Sequence, residues 1–267
     1  TELLWMAKGG AMQGPDAGAG LTQDKFLGGR LQVWQPETGY RAGVDPVLLA
    51  ASVPACASTV LELGAGVGVA SLCLARRLAH AQVYALELQP DYAALAQRNA
   101  QENGLPITVY QGDLVQMPAP LRQMRFDHVI ANPPYFLRDR SLPAQDKGRE
   151  TGMGEGVALA QWVMAAARRT RDKGHVTFIC RVERLPELVA LFSHYLGSVE
   201  VQPITPRKGR ESQLVLIRGR KGGRAAFRLH AGLVMHQGHQ HTGDRNSYTP
   251  AIQAVLQAGA ALPWGGG

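Results

Sequence analysis

The sequence predicts an α/β protein with a Rossmann-like, doubly wound sheet of seven strands, mostly parallel with an antiparallel edge strand. Three observations support this prediction. Short apolar segments alternate with amphipathic helical ones from Ser58 onward, a glycine-rich turn follows the first apolar segment, and polar residues stand where successive segments end. Alternation of this kind is typical of parallel sheets wrapped by helices, which bind ligands at the carboxyl ends of their strands.

Seven short segments have the composition of buried strands. In chain order they are residues 59–63, 82–88, 107–113, 126–131, 175–180, 198–203 and 212–219. Helical patterns lie between them, and the helix that begins at Ala158 is expected to end at Gly174. The last two strands are expected to pair as a hairpin-like antiparallel unit.

The 267 residues fit one large domain, and 45% hydrophobic with 18% charged residues is an ordinary globular composition. We expect a flexible segment at residues 1–21, one domain over residues 22–256 and a flexible tail at residues 257–267. No stretch has the ~20 apolar residues of a membrane span, and the three cysteines lack disulfide spacing. A cytoplasmic protein without membrane attachment is therefore expected.

The glycine-rich turn, Glu62 to Gly68, has the sequence ELGAGVG and joins the first strand to a helix. Its glycines let the backbone turn tightly and approach a ligand at the helix N-terminus. The GxGxG spacing departs from the dinucleotide fingerprint GxGxxG, because Val69 stands where that pattern has its third glycine. A purely structural turn is the alternative interpretation.

Two acids follow the next strands in the same manner. Glu87 ends the second strand, and Asp113 follows the third in the segment Gly112 to Leu114. Carboxylates at these positions can accept hydrogen bonds from ribose hydroxyls and from an adenine amine. Solvated loop acids are the alternative.

With these residues the chain resembles the class I S-adenosylmethionine-dependent methyltransferases. In that family the glycine loop packs against the methionine portion, the acid after the second strand holds the ribose, and the acid after the third contacts the adenine. The resemblance implies S-adenosyl-L-methionine as the cofactor. Its expected contacts are Glu62, Gly64, Ala65, Gly66, Gly68, Glu87, Leu88, Gly112, Asp113, Leu114 and Asn132.

The segment Asn132-Pro133-Pro134-Tyr135 ends the fourth strand. Tandem prolines fix φ and donate no hydrogen bond, so the Pro133 carbonyl can be held beside the Asn132 side-chain oxygen. Two such acceptors can bind both hydrogens of an exocyclic amine and aim its lone pair at a methyl donor. We therefore expect these four residues to form the catalytic motif, with Tyr135 stacking on an extruded base. A structural Asn-Pro turn is the alternative.

The NPPY motif specifies an amine or amide, because it is shared by enzymes that methylate adenine in DNA, adenine or guanine in RNA, and glutamine in proteins. The chain from Thr22 to Ile252, including the residues up to Arg41 and the segment GVDPVLLA, also resembles the bacterial tRNA valine adenine-N6 methyltransferase family. That resemblance implies an adenine near the tRNA anticodon as the acceptor. It also places Tyr40, Arg41 and Asp45 near the site, and a structural corner at Gly39-Tyr40-Arg41 is the alternative.

The formal charge of +7 and the isoelectric point of about 9.6 suit a polyanionic partner, for which we expect RNA, and tRNA in particular. Basic residues form four groups after the catalytic motif, the first of them in the long polar loop 137–156. The groups are Arg138, Arg140, Lys147 and Arg149; Arg168, Arg169 and Arg171; Arg207, Lys208 and Arg210; and Arg218, Arg220, Lys221 and Arg224. If they converge on the site they form a phosphate track, of which Arg207, Lys208 and Arg210 are the predicted substrate contacts. If they scatter, they are ordinary surface residues.

Several alternatives stay open at this point. His236, His239 and His241 lack the cysteines and the HExxH pattern of common zinc sites, so we expect no metal. A protein glutamine methyltransferase would be expected to carry an added N-terminal helical domain, for which about forty residues are too few. A nicotinamide dehydrogenase is disfavoured by Val69, and the intact glycine loop and Asn132 oppose a catalytically silent RNA-binding protein.

Overall fold

The chain folds into one large sheet flanked by helices, with a separate hairpin before it. The computed structural model describes residues 20–134, 158–238, 247–262 and 264–265. In the hairpin, β1 (Leu21–Phe26) pairs with β2 (Leu31–Pro36) in antiparallel register. The NPPY tyrosine, Tyr135, and the predicted polar loop that follows it lie outside the described residues.

The main sheet has the strand order β10-β8-β9-β7-β6-β3-β4-β5, with β11 also paired to β8. Its strands are β3 (Thr59–Leu63), β4 (Gln82–Glu87), β5 (Ile107–Gln111), β6 (Phe126–Ala131), β7 (Thr170–Arg181), β8 (Gly197–Arg207), β9 (Leu214–Arg220), β10 (Arg228–Leu229) and β11 (Leu233–His236). Strands β3 to β9 correspond to the seven predicted segments. The predicted doubly wound α/β fold is therefore confirmed, and β10 and β11 are short additions.

Helices cover the sheet. They are α1 (Asp45–Ala51), α2 (Val69–Arg77), α3 (Pro90–Glu102), α4 (Ala119–Gln123), α5 (Leu159–Arg169), α6 (Leu185–Tyr195) and α7 (Pro250–Ala258). In α3, proline opens the first turn and Tyr92, Leu95 and Asn99 form one buried face at helical spacing. None of the helices in the described ranges is long and apolar enough to cross a membrane.

The antiparallel strand occupies a different place from the predicted one. Strand β9 lies inside the sheet, between β7 and β8, and pairs antiparallel with both. Its residues Val215, Leu216 and Ile217 are all buried, so the strand needs both faces covered and both edges paired. The predicted antiparallel unit of the last two strands is correct, but the antiparallel edge strand is wrong.

This topology defines two edges of the sheet. Strands β3 to β8 run parallel, so they all end at one edge, which we call the carboxyl edge, and begin at the opposite one, the amino edge. Strand β9 runs the other way, so it begins at the carboxyl edge. Ligands of such sheets bind at the carboxyl edge.

Two predicted boundaries are wrong. Helix α5 ends at Arg169 and β7 begins at Thr170, so Gly174 lies inside a strand instead of ending a helix. A glycine is needed there because a Cβ would lie 2.8 Å from the Asp127 carbonyl oxygen. At the C-terminus, the Leu262 amide donates to the Ala51 carbonyl at 2.9 Å. The packed domain therefore extends past residue 256.

Asn99 of α3 fixes the hairpin against the main sheet. Its side-chain oxygen accepts from the Trp34 amide at 2.8 Å, and its nitrogen donates to the carbonyls of Trp34 at 3.1 Å and Val67 at 3.0 Å. Asn99 is fully buried, so these bonds satisfy its polar atoms away from water. The contact joins the hairpin to the glycine loop, and the chain leaving the hairpin reaches the carboxyl edge at Tyr40.

Candidate active site

The glycine loop lies between β3 and α2 at the carboxyl edge. Gly64, Gly66 and Gly68 have φ of 67°, 55° and 87°, a region that side-chain-bearing residues rarely adopt. A Cβ on Gly64 would lie 2.5 Å from Cη2 of Trp162, and one on Gly66 would lie 3.4 Å from Cε1 of Tyr40. The loop therefore requires glycine for backbone conformation and, at Gly64, for space.

Hydrogen bonds from backbone amides hold this loop against the neighbouring strand β4 and the Glu87 side chain at its end. The amides of Gly64 and Ala65 both donate to the Leu86 carbonyl, at 2.8 and 3.1 Å. The Gly66 amide donates to Glu87 Oε2 at 2.7 Å, and the Gln89 amide donates to Glu87 Oε1 at 2.9 Å. Glu87 is only 2% exposed. Burial raises the pKa of its carboxyl, and the bonds from the Gln89 and Gly66 amides oppose that rise.

Glu87 therefore holds the shape of the glycine loop, a role that the sequence did not predict. Each carboxylate oxygen has a second lone pair, so both can still accept a hydroxyl. The ribose contact of Glu87 stays a prediction.

Glu62, the first residue of the ELGAGVG turn, joins strand β3 to helix α2. Its Oε2 accepts from the Ser71 amide at 2.9 Å and from the Ser71 hydroxyl at 2.5 Å. Burial raises the pKa of Glu62 to about 8, against the two Ser71 bonds, which lower it. The carboxyl is therefore mostly neutral at pH 7. The structure gives Glu62 a partner within the fold, and its contact with the cofactor stays a prediction.

The predicted adenine end of the cofactor site lies after β5. One Asp113 carboxylate oxygen accepts from the Val115 amide at 2.8 Å, and the Gly112 amide donates to the Glu87 carbonyl at 2.8 Å. Leu88 and Val115 are 54% and 49% exposed, so two apolar side chains stand open beside this carboxylate. Leu114 instead packs against the core.

Asn132 directly follows β6, whose six residues are all buried. Its side-chain nitrogen donates to the Tyr40 hydroxyl at 3.5 Å. Pro133 is buried and Pro134 half-buried. Because β3 and β6 are neighbours, Asn132 and the glycine loop leave the sheet side by side. The geometry brings the described part of the catalytic motif, Asn132 to Pro134, beside the glycine loop, while the roles of these residues stay predictions.

Tyr40 lies against both of these elements. Its ring touches Gly66, and its backbone is fixed by buried Tyr92, whose hydroxyl accepts from the Tyr40 amide at 3.2 Å and donates to the Tyr40 carbonyl at 3.3 Å. Burial raises the pKa of the Tyr40 phenol, and the carboxyls of Asp45 and Glu62 raise it further. Tyr40 therefore keeps its proton, and Asp45 is near enough to influence it.

The neighbouring Arg41 is directed elsewhere. Its guanidinium donates to the Thr22 hydroxyl and the Pro36 carbonyl, both at 2.7 Å, and pairs with the Asp24 carboxylate. Thr22 and Asp24 lie in β1 and Pro36 ends β2, so all three partners belong to the hairpin. The structure therefore favours a structural role for Arg41, and its contact with the acceptor stays a prediction without geometric support.

The three predicted basic groups that the structure describes do not converge. Arg207, Lys208 and Arg210 stand in the turn between β8 and β9 at the carboxyl edge, where the Arg207 guanidinium donates to the Gln237 carbonyl. The groups that begin at Arg168 and Arg218 lie toward the amino edge, because α5 ends there and β9 runs antiparallel. The group that begins at Arg138 lies outside the described residues. A single phosphate track from all four groups is therefore wrong.

Two contacts near the site had only weak signals in the sequence. Trp162 of α5 packs on Gly64, and Tyr92 of α3 anchors Tyr40. Both are large aromatic residues on the buried face of an amphipathic helix, which indicates burial without indicating the partner.

Of the histidine-rich run, His236 bonds the Ser247 hydroxyl at 2.9 Å, while His239 and His241 lie outside the described residues. Within the described ranges no metal-binding group of three or more side chains occurs.

Comparison with known proteins identifies the family. A family model described as the methyltransferase small domain matches residues 43–144. The tRNA1(Val) (adenine(37)-N6)-methyltransferase of Tolumonas auensis is 31% identical over 194 residues, which cover 68% of this chain and 77% of that enzyme. The chain therefore belongs to the same methyltransferase family as the Tolumonas auensis enzyme. S-adenosylmethionine is therefore its methyl donor.

Two further similarities accompany this one. The release factor glutamine methyltransferase of Geobacter sulfurreducens is 44% identical over 125 residues, and the match spans 44% of this chain and 43% of that enzyme's length. Among solved structures, a predicted O-methyltransferase from Agrobacterium tumefaciens superposes with a TM-score of 0.64 at 28% identity. The superposition covers 81% of this chain and 97% of the Agrobacterium tumefaciens chain.

The residues at the carboxyl edge fit the methyl donor of this methyltransferase family. S-adenosylmethionine has a polar amino-acid end, ribose hydroxyls and an adenine ring. The edge offers a glycine loop at the start of a helix, carboxylates after β4 and β5, and exposed Leu88 beside Asp113. Polar and apolar groups are thus available in the order in which such a molecule would need them.

Proposed function

We propose that this protein transfers a methyl group from S-adenosylmethionine to the N6 amine of an adenine in tRNA. The observation that supports this most directly is Asn132 at the end of β6, followed by two prolines and lying beside Tyr40 and the glycine loop. Relatives over most of the chain are named tRNA1(Val) (adenine(37)-N6)-methyltransferases. Their names favour adenosine 37, near the anticodon, as the acceptor.

We infer which residues hold the methyl donor from the fit of the edge. The loop Gly64 to Gly68 would take the methionine portion, Glu87 the ribose, and Asp113 with Leu88 the adenine. When bound there, S-adenosylmethionine supplies an electrophilic methyl group. The Glu87 bond to the Gly66 amide would couple the ribose position to the shape of the loop.

The chain's own residues would act on the acceptor by positioning it. An exocyclic amine is a weak nucleophile because its lone pair is delocalised into the ring. With its two hydrogens donated to the Asn132 side-chain oxygen and the Pro133 carbonyl, the lone pair is held toward the methyl group. The new N–C bond would replace the bond between the methyl group and the donor's sulfonium sulfur, which would leave as a neutral thioether, and the nitrogen would lose one proton to solvent. Tyr40 cannot serve as the base, since its raised pKa keeps it protonated.

Methylation of a protein glutamine is the second candidate, because the Geobacter sulfurreducens enzyme is 44% identical over its matched segment. A glutamine amide also presents two N–H groups to the same acceptors. The match to that enzyme is shorter than the one to the Tolumonas auensis tRNA enzyme, 125 against 194 residues. We therefore favour tRNA.

The decisive experiment supplies radiolabelled S-adenosylmethionine and compares three acceptors: a valine tRNA transcript, a release factor and a DNA duplex. We expect label in the tRNA, recovered as N6-methyladenosine by mass spectrometry of nucleosides and mapped by ribonuclease digestion to position 37. Label in the release factor alone would replace the proposal by the glutamine reaction. RNA binding without label in any acceptor would favour a non-catalytic RNA-binding protein. Because the proposed acceptor is tRNA, we also propose a cytoplasmic location.

A further inference from the structure

A second group of cations lies at the amino edge, away from the candidate active site. It consists of exposed side chains from α4 and the residues that follow it, the end of α5, the start of β7, and the end of β9 with the turn that follows. We call this the amino-edge basic surface, and its members are Arg122, Arg125, Arg168, Lys173, Arg220 and Arg224. Arg171 adjoins it but pairs with the carboxylate of Asp127.

Strand register shows that the surface is continuous. Phe126 of β6 pairs with Thr170 of β7, so Arg125 and the end of α5 meet where these two strands begin. Farther along, the Arg220 guanidinium of β9 donates to the Lys173 carbonyl at 3.2 Å. The cations therefore run across three adjacent strands, which are about 4.8 Å apart.

These charges lie close enough to repel one another. Burial lowers the pKa of Arg169, and the neighbouring guanidiniums of Arg125, Arg168 and Arg122 lower it further. Because like charges at short range oppose folding, the cluster does not stabilise the fold by itself. Such a cluster suits a polyanion whose phosphates would remove the repulsion.

The surface is too remote to contact the acceptor base. Phe126, which pairs with Thr170 at the amino edge, precedes Asn132 by six residues, which is about 20 Å at the usual rise of a strand. Next to Arg224, the side chain of Phe227 is 50% exposed. Open aromatic rings among basic residues are suited to stacking on unpaired bases.

We propose that the amino-edge basic surface binds phosphates of the RNA substrate at a distance from the modified base. This inference rests on the proposed function, because a folded tRNA extends well beyond its anticodon loop. Lysine and arginine contacts to phosphates release counterions, so they contribute affinity without reading sequence. The carboxyl edge would then select the nucleotide, and the amino edge would hold the body of the RNA.

The test neutralises three members of the surface together, Arg125→Gln, Arg168→Gln and Arg220→Gln. The matched control neutralises three exposed cations beside the β1–β2 hairpin, Lys25→Gln, Arg30→Gln and Arg76→Gln, with the same change of net charge. Affinity is measured by fluorescence anisotropy over a range of salt concentrations. The probes are a full-length valine tRNA transcript, its isolated anticodon stem-loop, and vesicles containing an anionic phospholipid.

We expect the amino-edge variant to bind full-length tRNA at least tenfold more weakly, with a salt slope lower by about two to three. Binding of the stem-loop should stay within twofold of the wild type. The melting temperature should change little, because the removed repulsion offsets the lost bonds of Arg125 and Arg220 to backbone carbonyls. A Phe227→Ala variant should weaken tRNA binding and leave stem-loop binding unchanged.

Three results would overturn the inference: unchanged tRNA affinity, an equal loss in the control variant, or a loss of vesicle binding in place of RNA binding. The proposed methyl transfer is scored separately, by label incorporated into the stem-loop. If the wild type binds tRNA through the amino edge but methylates no RNA, the surface stands and the proposed reaction fails. If it methylates the stem-loop and the variant binds tRNA normally, the reaction stands and the surface fails.

Discussion

The side-chain nitrogen of Asn132 donates a hydrogen bond to the hydroxyl of Tyr40 at 3.5 Å, although the two residues lie 92 positions apart in the chain. In this contact the nitrogen end of the amide faces the phenol. The amide oxygen, the atom that the proposed reaction requires as an acceptor, is then the end turned away from Tyr40. Tyr40 is in turn anchored by Tyr92, so the orientation of Asn132 depends on helix α3 as well as on β6.

Replacing Asn132 by alanine should abolish turnover with little effect on folding. The side chain lies beyond the strand end, so truncation leaves the sheet and the glycine loop intact. Loss of one preorganised acceptor is expected to lower kcat by about a hundredfold to a thousandfold. Radiolabel transfer to tRNA measures the rate, and calorimetry should show unchanged binding of S-adenosylmethionine. A variant that methylates tRNA at near wild-type rate would show that the motif is a structural turn.

Tyr40→Phe should separate positioning from packing. It removes the hydroxyl that holds the Asn132 amide but keeps the ring against Gly66. A hydrogen bond of ~1 kcal/mol corresponds to about a fivefold fall in kcat. The dissociation constant of S-adenosylmethionine should stay within twofold, whereas Tyr40→Ala should raise it too. Equal kinetics for Tyr40→Phe and wild type would remove Tyr40 from the positioning role.

Gly64→Ala should destabilise the protein more than Gly104→Ala does. Both glycines have a left-handed backbone, with φ of 67° and 63°, but a Cβ at Gly104 meets nothing within 4 Å. At Gly64 it would displace the Trp162 ring, and such overpacking costs about 1–3 kcal/mol beyond the shared backbone strain. Urea unfolding of the two variants gives the difference. Equal losses would mean that only the backbone conformation matters at Gly64.

Glu62 should make stability fall as pH rises. Its folded pKa, about 8, exceeds the ordinary value of 4.5, so the folded state binds more protons than the unfolded one between these values. The stability that this difference in proton binding contributes to the folded state is complete below about pH 4.5 and is lost as pH rises through 8. Glu62→Gln mimics the neutral form and lacks this dependence. The free energy of unfolding of the wild type should therefore fall relative to the variant across this range, and parallel curves would contradict the assignment.

The sequence predicted what depends on local pattern. The seven strands, the position of the glycine loop after β3 and the position of Asn132 after β6 follow from apolar runs and from glycine and proline chemistry. The order of the strands in the sheet depends on pairing between segments far apart in the chain, and local patterns do not predict it. Placing β9 between β7 and β8 needs knowledge of which strands share edges, and periodicity carries no such information.

Side-chain partners were the least predictable part of the candidate site. The resemblance places Arg41 near the site beside Tyr40, yet its guanidinium donates to Thr22 and Pro36 of the hairpin. Glu87 was expected to face a ligand, and it also binds the Gly66 amide. In both cases a charged group satisfies nearby backbone or side-chain atoms, and only the folded structure shows which ones are within reach.

The turn between β8 and β9 has a consequence for how substrate choice can diverge. It joins two strands that are locked into the sheet, yet a Cβ on Gly209 at its tip would meet nothing within 4 Å, and Lys208 and Arg210 are exposed. Its length and charge can therefore vary without disturbing the scaffold beneath. Grafting this turn between relatives would test whether it sets RNA preference, while the proposed catalytic residue Asn132 is kept constant.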